Sequence, residues 1–144
     1  MQDADDIEAR LHRVSSVPET LAASFDAFEV IRLAARAHED RVPRLFAAFM
    51  TTADAAVTGR EALTIAPSLG ACSTAQVSAP GPGAAVDVVT DALARLGALL
   101  SDRLACAAAL AQAPADKAAC EQAAAAARQI RDLMARGHDD RGLW

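Results

Sequence analysis

The chain has 144 residues, a formal charge of −5 and 38 alanines, against four phenylalanines, one tryptophan and no tyrosine. That length fits one domain with a core of its own, without metals or disulfides to staple it. The acidic balance, with thirteen arginines and one lysine (Lys117) spread among acids, leaves no basic stripe for nucleic acid.

Alanine loses no side-chain entropy on becoming helical and lets helices approach closely. The expected fold is therefore all-α: a single domain over 1–144, built as an antiparallel helical bundle of four main helices or segments plus a short N-terminal helix. Such a core gains little apolar area per turn, so self-association is an expected source of further stability.

The first helix is expected over 3–14. Ile7, Leu11 and Val14 recur at helical spacing, and Asp3, Asp5 and Asp6 sit at the positive end of the helix dipole. Ser16-Val17-Pro18-Glu19 reads as a capping box with proline in the first turn. The helix it opens carries a seven-residue stripe of Leu21, Phe28, Ala35, Val42, Phe49 and Ala56, and is expected to reach about Ile65. Because the stripe continues across Pro43, the expectation there is a kink in one helix, with Gly59 as a weak point.

Residues 66–83, rich in Pro, Gly and Ser and free of charge, read as a long irregular crossover loop. A helix over 84–113 follows, with Val89, Leu93, Leu96, Leu100 and Leu104 on one stripe. Pro114 ends it and opens the last helix, expected over about 115–136 and capped by Gly137, with 137–144 as a flexible tail.

Cys72, Cys106 and Cys120 match no zinc signature. Cys106 and Cys120 lie nearly equidistant from the Pro114 turn, which permits either a disulfide between them or two buried thiols. No apolar run is long enough to span a membrane, and the acidic start is not a secretory signal. The simplest location is the cytoplasm; a Cys106–Cys120 disulfide would favour an exported protein instead.

Few residues suggest chemistry. His12 and His138 read as surface groups. His38 and Glu39 interrupt the apolar face of the long helix, one on each side of its stripe, with Arg32, Arg36 and Arg41 as expected ion-pair partners. All four phenylalanines, Phe25, Phe28, Phe46 and Phe49, bracket that point. They form either an aromatic core seam or, with His38 and Glu39, a groove for a partner or an apolar ligand. No metal site, nucleophile elbow, phosphate-cradling loop or cofactor motif is present in the sequence.

The stretch His38-Glu39-Asp40-Arg41-Val42-Pro43 resembles the phosphoacceptor box of bacterial histidine kinases. The resemblance implies a helical hairpin in which His38 accepts a phosphoryl group and Glu39 orients or activates it. It covers six residues; Asp40 and Arg44 stand where that family has apolar side chains, and no nucleotide-binding segment follows, so the family is not adopted. The leading expectation is a non-enzymatic helical-bundle interaction or regulatory module, acting as a homodimer or on a protein partner and needing no cofactor. Histidine phosphotransfer through His38 and carriage of a small apolar ligand are the alternatives.

Overall fold

The computed structural model describes residues 2–71 and 84–142, with side chains for 3–70 and 84–136. Over these residues the chain is all-helical: α1 spans Gln2–Arg13, α2 Val17–His38, α3 Phe46–Leu63, α4 Val86–Leu110 and α5 Pro114–Gly142. Short 3-10 turns cover Pro43–Leu45 and Pro67–Ala71. Residues 72–83, the greater part of the expected crossover loop and the site of Cys72, lie outside the described residues.

The five helices pack against one another. α2 touches α3 and α4, each of these touches α5, and α1 lies across α2 and α4. α2 is enclosed on several sides: Leu21, Ala23, Ala27, Phe28, Ile31, Ala34 and Ala35 are all fully buried. Its start follows from local chemistry. The Ser16 hydroxyl accepts the Glu19 amide at 3.3 Å, and the Glu19 carboxylate accepts the Ser15 amide at 3.4 Å. The reciprocal cap is thus present but shifted by one residue on the return arm.

Alanine sets the spacing of α4 and α5. Ala107 and Ala108 on α4 meet a helix whose Ala119, Ala123, Ala124, Ala126 and Ala127 are buried. At Gly97 the approach is closest: an added Cβ would stand 2.8 Å from the Arg131 amide nitrogen. Gly59 has a different task from the weak point expected of it, since it seats the Phe28 ring, whose Cζ would lie 2.5 Å from an added Cβ.

Polar contacts fix the peripheral pieces. Arg10 pairs with the buried Asp26 at 2.5 Å, tying α1 to α2. Asp116, itself buried, accepts the Ser68 amide at 3.1 Å and the Ser68 hydroxyl at 2.6 Å, holding the Pro67–Ala71 turn against the start of α5.

Three expectations need correction. The long helix is broken at Pro43, not kinked. α2 ends at His38, Val42 turns to extended backbone (φ −130°, ψ 110°), and Pro43–Leu45 forms a 3-10 turn before α3 begins. Proline has no amide to donate, and it disfavours helical backbone at the residue before it, so the seven-residue stripe did not carry the helix across. The last helix runs through Gly137 and continues to Gly142. Cys106 and Cys120 are both free: Cys106 is exposed on the outer face of α4, while Cys120 is buried on the inner face of α5. Similar height on neighbouring helices is not enough when the two side chains point to opposite faces.

Candidate functional site

The six residues expected to bound one groove are divided between core and surface. Phe28 and Phe49 are fully buried and belong to the core. Phe25 is half-buried at the rim, with the Arg60 guanidinium carbon 6.0 Å from its ring centroid. Phe46 stands 39% exposed on α3. Glu39 pairs outward with Arg36 at 3.2 Å, and the Arg36 guanidinium also reaches Asp54 on α3 at 3.5 Å.

His38 closes the last turn of α2 and has no exposed surface. Its Nδ1–H donates to the Ala34 carbonyl at 2.9 Å, a bond that only the protonated nitrogen can make to an oxygen. The remaining nitrogen, Nε2, is buried without a hydrogen-bond partner among the described residues. The ring lies 6.4 Å from that of Phe49. This imidazole is a core side chain at a helix end, and neither nitrogen is offered to an incoming phosphoryl group. An unmatched buried acceptor costs about 1–3 kcal/mol, which the surrounding packing offsets.

A second charged network links α2 and α3 through Glu29. Glu29 receives the guanidinium groups of both Arg32 and Arg60. The Arg32 hydrogen bond is the main cause holding its carboxyl below the usual value of 4.5, against the opposing effect of burial. Cys120 is pushed up to about 11, first by burial and then by Asp116 and Glu121, so it is a protonated, unreactive thiol at neutral pH.

The feature that sequence reading passed over is the outer face of α3. Residues 45–53, Leu-Phe-Ala-Ala-Phe-Met-Thr-Thr-Ala, carry no charge. A helix apolar all round is normally covered all round. Here Leu45, Phe49, Thr52 and Ala53 face inward, but Phe46, Ala47 and Met50 are exposed and Thr51 is half-buried. Beside them an open groove of about 310 Å³ runs between α3 and α5, lined by Arg44, Leu45, Ala47, Ala48, Thr51, Leu133 and Arg136. The signal was available as an uncharged stretch bracketed by Arg44 and Asp54, but the inward stripe took precedence over it.

A second open groove, of about 380 Å³, lies between α4 and α5 and carries Lys117, Glu121 and Arg128 on alanine walls. Both grooves open to solvent. Among the described residues no cluster of His, Cys, Asp or Glu could hold a metal, and no helix is long and apolar enough to cross a membrane. Comparison with protein-family models, curated proteins and solved structures finds no match to this chain.

Proposed function

We propose that this chain is a non-enzymatic protein-interaction module, with the first two turns of α3 as its contact face. The observation that carries the reading is the coincidence of an uncharged stretch, residues 45–53, with exposed Phe46, Ala47 and Met50. Scattered exposed apolar residues are ordinary; a continuous uncharged helix face beside an open groove is a common mark of a contact surface. The cyclic contacts of α2, α3, α5 and α4 support an antiparallel four-helix bundle as the scaffold, with α1 as an added strap. Free thiols at Cys106 and Cys120 are compatible with a reducing compartment such as the cytoplasm. The burial of His38 argues against the phosphotransfer reading.

The test is site-specific photo-crosslinking in cells that produce the protein. A photoreactive residue at Ala47 on the α3 face is expected to give a discrete cross-linked product. The same residue at Gln122, exposed on α5, serves as the control. No product from position 47, or the same products from both positions, would refute the contact-face reading.

A further inference from the structure

The uncharged stretch of α3 has charged ends of opposite sign. Arg44 precedes it and Asp54 follows it, and both are exposed. No ion pair takes the Arg44 guanidinium among the described residues. Positions 47, 51 and 54 lie on one stripe of α3, spaced four and three apart, and Arg44 stands in the 3-10 turn just before it. The shared groove wall of Arg44, Ala47 and Thr51 agrees with this.

We propose that the occupant of this face is a second copy of the chain, its α3 packed antiparallel against the first about a two-fold axis; this rests on the contact-face reading above. The pattern is self-complementary in that sense and in no other. An antiparallel pairing exchanges residues symmetrically about a point near Phe49, so Arg44 of each copy meets Asp54 of the other, and Ala47 meets Thr51. The two small side chains let the helices approach, while Met50 packs alongside the crossing and Phe46 flanks it. Parallel pairing would set Arg44 against Arg44 and Asp54 against Asp54. A two-fold interface needs one patch that matches itself, and this stripe does.

Arg136 on α5 lines the same groove as Arg44, so the incoming Asp54 enters a locally basic corner of an acidic protein. Within its own chain Asp54 is approached by Arg36 at 3.5 Å, but its side chain remains 67% exposed and free to take a second cation. The stripe is about 15 Å long, and two such faces cover less than the ~800 Å² per partner of a standard interface. The dimer is therefore a weak one, with Kd in roughly the 10–500 µM range.

Sedimentation equilibrium on the full chain, up to about 1 mM, tests this directly. The wild type is expected to dimerise, and Met50→Asp to weaken the dimer at least about tenfold. Arg44→Asp and Asp54→Arg are each expected to weaken it about three- to tenfold, because every substitution acts twice across the axis. The double variant Arg44→Asp/Asp54→Arg restores the pairing and should return to within about threefold of wild type. A wild type that stays monomeric, a Met50→Asp protein that dimerises unchanged, or a double variant no better than the singles would each overturn the proposal.

A second measurement needs no change of charge. The cross-link from Ala47 must give a product of twice the chain mass, attached within residues 44–54 of the other copy. A product of another mass overturns self-docking and leaves the contact-face reading standing. No product at all overturns both.

Discussion

Gly97→Ala puts the packing of α4 on α5 to the test. A Cβ at this position would lie 2.8 Å from the Arg131 nitrogen, 3.0 Å from the Ala127 oxygen and 3.2 Å from the Arg131 Cα. Ordinary contacts of carbon with such atoms fall near 3.5 Å, so the helices must part by several tenths of an ångström. All three neighbours are backbone, and no rotamer change relieves them. α5 cannot simply retreat either, because α3 packs against it from another side. Overpacking of this kind costs about 1–3 kcal/mol, and three simultaneous backbone contacts place it at the upper end. Replacing glycine by alanine inside a helix returns about 1 kcal/mol of propensity, leaving a net loss of about 2 kcal/mol. For a domain of this size that lowers Tm by about 6 °C. Urea unfolding followed by far-UV circular dichroism reads the effect, with the midpoint shifted and the slope unchanged. A variant as stable as the wild type, or more stable, would show that α4 and α5 do not meet backbone to backbone at Gly97, and the account of alanine as the spacer between them would fall.

Three further outcomes follow from contacts elsewhere. Gly59→Ala drives a methyl into the enclosed Phe28 ring and should cost about 2–3 kcal/mol; adding Phe28→Leu relieves the clash, giving a coupling of about 1 kcal/mol in a double-mutant cycle. Glu29 is held below its ordinary 4.5 by Arg32 and Arg60, so the unfolded chain binds its proton first as acid is added. The stability from that network is complete above pH 4.5 and lost as pH falls through the lowered value, and Glu29→Gln should flatten the acid limb of the urea midpoint plotted against pH. In a Cys72→Ser background, native thiol labelling should modify Cys106 rapidly and Cys120 only on unfolding; equal rates at the two would contradict the burial of Cys120 and its thiol value of about 11.

Helix class and approximate extents were legible because they rest on local rules. The Ser16 cap, the proline at the head of α2, the Leu93–Leu104 stripe of α4 and the Pro114 start of α5 need only neighbours in sequence. What misled was a conflict between two local signals at Pro43. The seven-residue stripe says the core side continues; the proline says the backbone cannot, and a missing amide is the harder constraint. The stripe also misplaced His38, which stands seven, four and three residues after the buried Ile31, Ala34 and Ala35, so ordinary helical phase turns it inward with its Nδ1–H returned to Ala34. Gly59 and Gly97 were opaque because their reasons are tertiary: one seats a ring from α2, the other a backbone from α5. The cysteine pairing failed on face rather than height, which helical phase would have shown: Cys106 lies two residues from the buried Leu104, on the far side of α4.

The exposed face of α3 is a consequence of the same break. α2 and α3 are alike in carrying apolar residues on more than one side, so each requires cover on more than one side. α2 obtains it from α1, α3, α4 and the Pro67–Ala71 turn. α3 sets off from Pro43 on a new course and, among the described residues, packs chiefly on α2 and α5, which bury Phe49, Ala53 and Ala56 but leave Phe46, Ala47 and Met50 exposed. Lysine or glutamate at those positions would give solubility at nearly the same helix propensity. Alanine and methionine favour the helix equally well but forgo that solubility. What distinguishes them is the apolar area they offer, at about 25 cal/mol per Å² once it is covered. The placement of Arg44 and Asp54 at the two ends then gives the uncovered face a direction, and an antiparallel copy of itself is the arrangement that satisfies both ends at once.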